Sequence, residues 1–160
     1  MKTAFIIVSL LFLAAGVLLA LMGVMSRSGS APGLIDNRLA PCPDKPNCVC
    51  SEYPADTNHG IDPMPLPVNG VTDTIPAIRQ AIESLGGRIE ISASHYLAAT
   101  FSSPLFGFVD DLEVRIDPER AIIHFRSASR AGYSDMGVNR KRVHHLKAFL
   151  ANTFFPGSQR

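Results

Sequence analysis

The chain has 160 residues, of which 46% are hydrophobic and 18% are charged. This length suits one domain with an additional short segment, and this composition excludes an intrinsically disordered protein. The net charge of +1 conceals a division along the chain, since residues 29–119 carry thirteen acidic and five basic side chains, whereas residues 120–160 carry one acidic and eight basic side chains.

An uncharged apolar run extends from Ala4 to Met25. As a helix it spans roughly 33 Å, which is enough to cross a hydrocarbon core of about 30 Å. Secretory signals have shorter apolar cores that end at small residues, and the small residues 29–31 lie several positions beyond this run. We therefore predict that residues 1–28 form an uncleaved single-pass membrane anchor rather than a removed signal.

Residues 29–38 are predicted to be a flexible linker, and a proline-rich segment with three cysteines follows them. A Cys42–Cys48 disulfide would close a small loop and would persist only outside a reducing cytoplasm. The alternative is a metal site formed by these two thiolates, Cys50 and His59, but the C-x5-C-x-C spacing matches no usual zinc motif. The pattern favours the disulfide and no metal, and it predicts a periplasmic or otherwise extracytoplasmic domain.

Cys50 is then an odd thiol, which is either buried as a small apolar group or available for pairing between chains. Residues 39–155 are predicted to form a single domain, with residues 156–160 as a tail. Pro76 lies near the expected start of a helix, and Gly86-Gly87 ends it. Alternating polar and apolar residues predict four strands, at residues 88–92, 96–101, 108–116 and 121–126.

A last helix is predicted from the helical spacing of four apolar residues, which are Val143, Leu146, Leu150 and Phe154. The elements together predict a two-layer α+β domain, with an antiparallel sheet of about four strands and two helices.

A dense run of polar side chains precedes and enters the last helix, from Arg126 to Arg142. We expect Ser134 or Asp135 to cap this helix, whose first amides attract anions, and arginines offer planar forks of donors to phosphate or carboxylate. Beside a membrane anchor, the candidate partners are an anionic lipid or an envelope component. The pattern therefore predicts an anion-binding pocket without a cofactor, formed by Arg126, Ser127, Ser129, Arg130, Tyr133, Asp135, Asn139 and Arg140.

The same residues are open to an alternative in which no ligand binds. Asp110 and Asp111 lie on the strand expected to neighbour Arg126, and Asp135 is close to Arg130 in sequence. Ion pairs between these carboxylates and arginines would lock the loop and the helix in place. The protein is then a structural envelope protein.

A hydrolase is a further alternative, in which Asp110 or Asp111 activates a water with His124 or His59 nearby. Consecutive residues on a strand point to opposite faces, so the two aspartates cannot act as a carboxylate pair, and no common catalytic motif is present in the sequence. Nucleic acid is not an expected partner, because the chain is not basic overall and has no Trp.

Three segments resemble the family known as domain of unknown function 1499: PCPDKPNCVCS, FGFVDDLEVRID and RSASRAGYSDMGVNRKR. The resemblance covers Leu39 to Leu150 and implies a bacterial chain in which the domain follows an N-terminal membrane segment. It leaves Cys42 and Cys48 as the matching pair, whereas Cys50 departs from a pattern that more often has serine there. It implies a fold and an anchor, and no particular activity.

Overall fold

The apolar N-terminal run forms one continuous helix. The computed structural model describes residues 1–68 and 70–156, and helix α1 is Lys2–Ser26. Its apolar side chains are exposed, and only Gly23 and Ser26 are buried. By length and composition α1 can cross a membrane, which makes it a candidate anchor or signal. Residues 157–160 of the predicted tail lie outside the described residues.

The predicted linker contains a small hairpin, in which β1 (Leu34–Ile35) pairs with β2 (Arg38–Leu39). Its two turn residues, Asp36 and Asn37, have φ values of 49° and 60°, which Asp and Asn tolerate better than most residues do. The segment also contacts the main sheet, because the Gly33 amide donates a 3.1 Å hydrogen bond to Glu113.

The main sheet is antiparallel and has six strands, so the prediction of about four is corrected. The two strands missed from the sequence are only three and two residues long and lie among prolines, so they have no visible alternation. Both pair with the last strand. The strands are β3 (Cys48–Cys50), β4 (Met64–Pro65), β5 (Arg88–Ser92), β6 (Tyr96–Ser102), β7 (Val109–Asp117) and β8 (Ile122–Ser129). Their order in the sheet is β3-β8-β7-β6-β5, and β4 also pairs with β8.

Helices α2 (Val71–Ser84) and α3 (Val138–Phe154) pack on one face of this sheet. The predicted apolar face of the last helix is confirmed, since three of its four residues are buried and Phe154 is partly buried. The core between the layers includes Ile78, Ile82, Leu97, Leu112, Val114, Ile123, Phe125, Leu146 and Leu150. The two-layer α+β arrangement agrees with the sequence.

Helix α2 begins five residues before Pro76, and not next to it as predicted. Gly70, with a φ of 78°, is the N-cap residue, and the Thr74 hydroxyl donates a 2.6 Å hydrogen bond to the Gly70 carbonyl. Pro76 is tolerated inside the helix, where its missing N–H removes one intrahelical bond. The helix ends as predicted, with Gly86 at a φ of 86° just after it.

The sheet face opposite the helices is covered over one part by the chain between α1 and residue 53. A second apolar cluster holds this segment down, and it includes Leu39, Cys50, Tyr96, Ala98 and Tyr53. The remaining part of this face, over β5, β6 and the start of β7, is open.

Candidate functional site

The sheet divides the constellation predicted from the sequence. Ser127 and Ser129 are on the side of β8 that faces α3, where both contact Asn139. Arg126 and Arg130 lie on the opposite side, where they contact carboxylates of β7. The last strand, which was predicted to end at residue 126, is longer, because β8 continues to Ser129.

On the helix side, Asn139 joins the start of α3 to the sheet. The Ser127 hydroxyl donates to Asn139 Oδ1 at 2.5 Å, and Asn139 Nδ2 donates to Ser129 Oγ and to the Asn47 carbonyl, each at 3.0 Å. Asn139 is 1% exposed. The polar atoms of the Asn139 side chain are therefore hydrogen-bonded within the protein, which indicates a structural role.

Arg142 completes this group of side chains and was missed from the sequence. Its guanidinium donates to Asp110 at 2.7 Å and to Ser127 Oγ at 3.1 Å, and it lies over the Phe101 ring at 4.5 Å from the centroid. The signal in the sequence was its spacing, since residues 139 and 142 are three apart and share one helix face.

The N-terminal end of α3 is occupied by a carboxylate of the chain. Asp135 accepts hydrogen bonds from the Asn139 amide at 2.6 Å and from the Gly137 amide at 3.0 Å, although Gly137 itself is the N-cap residue. Arg140 donates to the Gly60 carbonyl at 2.8 Å, and Tyr133 is 69% exposed. These residues do not converge with the arginines of the opposite face.

On that opposite face, Glu113 is the centre of a buried group that the sequence analysis missed. It is fully buried and accepts hydrogen bonds from Arg126 Nη1 and from the Tyr96 hydroxyl, both at 2.8 Å, and from the Gly33 amide. Burial and the adjacent Glu113 carboxylate raise the pKa of Tyr96. The alternation of charged with apolar residues along β7 was the signal in the sequence that could have identified it.

A second buried group contains Ser51, Glu52 and His124. Ser51 Oγ lies 3.1 Å from His124 Nδ1, His124 Nε2 lies 3.8 Å from Glu52, and Arg115 donates to Glu52 at 2.6 Å. Burial lowers the pKa of His124. The Glu52 pKa, which burial alone would raise, is lowered because of Arg115.

The order of hydroxyl, imidazole and carboxylate in this group matches that of a hydrolytic triad. However, these three residues are at most 6% exposed. Ser51 Oγ also accepts a hydrogen bond from the Phe125 amide. A substrate therefore cannot reach the hydroxyl in this conformation.

The cysteines form the predicted disulfide, since Cys42 and Cys48 are bonded at an S–S distance of 2.00 Å. The metal alternative fails, because this bond removes two of its three thiolates, and His59 bonds to Asp56 and to the Lys45 carbonyl. Within residues 1–68 and 70–156, no three His, Cys, Asp or Glu side chains are placed to hold a metal ion. The free thiol of Cys50 is buried, which raises its pKa to about 11.

A cavity of about 680 Å³ lies on the open part of the sheet face. Small side chains of β6 line it, those of Ala98, Thr100 and Ser102, and the chain that follows α1 lines it at Gly29 and Ala31. The cavity exists because β6 places small residues on this face, whereas its apolar residues Leu97 and Phe101 are on the helix side.

Three arginines and two carboxylates line the cavity. Arg88 pairs with Glu90 at 2.7 Å, and Arg130 pairs with Asp111 through two hydrogen bonds of 2.6 and 2.9 Å. Among the residues that the structure describes, no carboxylate lies within ion-pair distance of Arg27. The lining therefore carries one formal positive charge in excess.

The end of α1 is attached directly to the sheet next to this cavity. Ser26 Oγ accepts a 3.0 Å hydrogen bond from the Val109 amide at the start of β7 and donates one of 2.6 Å to the Gly23 carbonyl. Gly23 packs against the backbone of Phe106, in the loop between β6 and β7, and a side chain at position 23 would collide with it.

The family model described as a protein of unknown function (DUF1499) matches residues 38–150. The chain belongs to this family. A comparison with curated proteins gave no match.

The DUF1499 match extends from β2 into α3, and so it contains the whole main sheet and both buried groups. Helix α1 and Arg27 lie outside the match. The cavity is therefore built jointly by the DUF1499 domain, which supplies Arg88, Arg130 and the floor, and by the segment that joins this domain to α1.

Proposed function

We propose that this chain is a single-pass membrane protein whose DUF1499 domain binds the phosphate of an anionic phospholipid in the cavity beside the end of α1. The observation that carries the proposal is Arg27, a cavity-lining arginine that has no carboxylate partner among the described residues, although the other two lining arginines have one. An arginine fork suits a phosphate group, because it donates parallel hydrogen bonds to two oxygens.

The size of the cavity supports a small anionic ligand. Ligand pockets are commonly clefts of about 300–1,000 Å³, and this one is about 680 Å³. Its floor is made of small side chains and supplies the Ser102 hydroxyl as a further polar group, whereas the Thr100 hydroxyl donates to Glu90 at 3.0 Å.

The position of Arg27 along the chain supports a lipid as the source of the phosphate. The apolar helix ends at Ser26, so the next residue falls at the level where hydrocarbon gives way to headgroups, if α1 spans the bilayer. Phospholipid headgroups are the most abundant anions at that level.

The disulfide supports an extracytoplasmic position for the domain. A Cys42–Cys48 bond is characteristic of oxidising compartments and is rare in a reducing cytoplasm. In a bacterial cell the domain would then occupy the periplasm or the outer surface, with access to envelope lipids and to envelope partner proteins.

A structural role without a ligand is the second candidate, and a separate observation favours it. Arg126, Arg130 and Arg142 each pair with a carboxylate of β7 at 2.6 to 2.8 Å. The Arg126 pair joins β8 to β7, and the other two pairs tie the loop before α3 and α3 itself to the sheet, as expected of a domain that only needs to hold its shape.

The test uses the full chain in nanodiscs that contain phosphatidylcholine and phosphatidylglycerol in equal amounts. Native mass spectrometry then counts the lipids that stay bound after the disc is removed. We expect retention of one phosphatidylglycerol, and we expect Arg27→Gln to weaken its binding about tenfold, as loss of a charge-assisted hydrogen bond would.

Arg120→Gln is the matched control, because Arg120 is an exposed arginine in the turn at the far end of β7. It should retain the lipid as the unaltered chain does. Equal retention by Arg27→Gln, Arg120→Gln and the unaltered chain would overturn the binding proposal and leave the structural role.

A further inference from the structure

We infer that the loop between β6 and β7, residues 103–108 with the sequence SPLFGF, is a second membrane contact that dips into the lipid beside α1. The inference rests on α1 remaining attached and spanning the bilayer. It does not depend on whether the cavity binds a lipid phosphate.

The depth of the loop follows from its contact with Gly23. The Phe106 backbone packs against Gly23, which lies three residues before the end of α1 and thus about 4.5 Å deeper along the helix axis. Val24 and Met25, which follow Gly23, are exposed apolar side chains of the same helix. Lipid that covers these two residues also reaches Phe106, because the Phe106 backbone lies at the level of Gly23.

The loop presents an apolar surface, in which Leu105 is exposed and Phe106 and Phe108 are half-buried. Leu105 is 81% exposed, and the rings of Phe106 and Phe108 pack edge to face with their centroids 6.3 Å apart. None of residues 101–109 is charged. Contact of these apolar side chains with water is unfavourable. Moving their exposed surface into lipid is favourable by about 25 cal/mol per Å².

Part of the backbone of the loop is hydrogen-bonded within the loop itself. Irregular backbone does not lie exposed in the hydrocarbon core, so the loop is placed at the interface, where water and headgroups meet its remaining polar groups. The Ser103 amide donates to the Phe108 carbonyl at 2.8 Å, the Gly107 amide donates to the Ser103 carbonyl at 3.1 Å, and the Phe108 amide donates to Ser103 Oγ at 3.0 Å. Pro104 has no amide hydrogen to satisfy. Three of the five amides of the loop are thus paired within the loop, all through Ser103.

A cationic residue lies directly beside this apolar loop. Arg27 packs over Gly107, where a Cβ would come within 2.5 Å of the guanidinium, and Gly107 has a φ of 68°. A basic residue above an apolar group is the arrangement of interfacial membrane contacts, because the cation meets headgroup phosphates while the apolar group enters the hydrocarbon boundary. The contact with α1 and the loop together fix the cavity at headgroup level.

The absence of Trp from the sequence allows a direct test of depth. The full chain with the single substitution Leu105→Trp is reconstituted in phosphatidylcholine vesicles that contain lipids brominated near the headgroup end of the acyl chains. We expect a blue-shifted emission and strong quenching by the brominated lipid. The vesicles contain no anionic lipid, so this result does not depend on the proposed phosphate binding.

Glu119→Trp is the control, because it places the same reporter in the exposed turn at the other end of β7. That strand has nine residues, so the turn is roughly 26 Å from the loop. Its emission should stay red-shifted and should be quenched by aqueous acrylamide. Equal emission and equal acrylamide quenching at the two positions would overturn the inference.

Tryptophan itself favours membrane interfaces, so a second readout uses the unaltered chain. Phosphatidylcholine with a photoactivatable diazirine in its acyl chain should form crosslinks in the peptide that contains residues 103–108, in addition to α1. Crosslinks confined to α1 would contradict a second membrane contact.

Discussion

Glu113 and Arg126 face each other across β7 and β8 in the antiparallel register, and a 2.8 Å ion pair joins their side chains in the interior of the protein. Both residues are buried, and Glu113 is inaccessible to solvent. A pair of this kind adds little stability over a well-packed apolar pair, but it cannot lose one member without leaving a buried charge.

We therefore expect Arg126→Met to lower the free energy of unfolding by about 3–5 kcal/mol, because Glu113 would keep its charge without a counterion. Urea unfolding of the full chain in detergent micelles, followed by circular dichroism, measures this. Arg79→Gln is the control, since it removes only an exposed pair with Glu83 at 3.9 Å, worth about 0–1 kcal/mol. The double substitution Glu113→Gln with Arg126→Met removes both charges and keeps an oxygen acceptor for Tyr96 and the Gly33 amide. It should recover most of the loss, and a persistent loss would contradict the explanation.

Asp111 neutralises Arg130 at the edge of the cavity. We expect Asp111→Asn to strengthen retention of phosphatidylglycerol several-fold, because a second guanidinium then carries uncompensated charge. Retention is measured by native mass spectrometry, with Asp62→Asn as an exposed-loop control that should change nothing. Weaker retention in a folded Asp111→Asn variant would contradict the assignment of the cavity. The hydrolase alternative predicts instead that this variant loses turnover.

The three cysteines should differ sharply in reactivity. Cys42 and Cys48 are bonded to each other, and Cys50 is buried with a pKa of about 11, so almost none of it is thiolate near pH 8. We expect a maleimide to label no cysteine rapidly in the native chain, one after unfolding, and three after unfolding with reductant. Intact mass analysis counts the labels, and Cys50→Ala should give none without reductant. Rapid labelling of the native chain would contradict this.

His124 makes stability depend on pH. Burial lowers its pKa in the folded protein, so below about pH 6.5 the unfolded chain binds more protons at this residue than the folded chain does. The stability contributed by a neutral His124 is complete above that pH and is lost as the pH falls. The urea midpoint should therefore decrease between about pH 7 and about pH 5.5.

The matched comparison is between His124→Gln, which should flatten this decrease, and His145→Gln, which alters an exposed histidine of α3 and should leave it unchanged. Identical pH dependence in the unaltered chain and in His124→Gln would assign the effect to other groups.

Periodic elements could be predicted from the sequence, and short or proline-containing ones could not. Apolar residues recur every second position along β7 and about every three and a half positions along α3. This spacing identifies the side of each element that faces the core. Strand β4 has two residues and ends in a proline. It is a strand because it pairs with β8. Pro76 indicated a helix start because proline is favoured at the first position of a helix. The helix begins earlier, after its N-cap residue Gly70.

The site was harder to predict than the fold, because partners were chosen by proximity along the chain. Arg130 was expected near Asp135, five residues away, but its partner is Asp111 on the neighbouring strand. Arg126 and Ser127 are adjacent in sequence and lie on opposite faces of the sheet. The cavity depends on small residues of β6, which carry no chemical signal in the sequence.

The hydrogen bond between Ser26 and the Val109 amide joins the end of α1 directly to the start of β7. If α1 spans a bilayer and rotates about its own axis, this bond makes the sheet turn with it. A second transmembrane helix could then pack against one side of α1. It would also determine the orientation of the domain about the membrane normal.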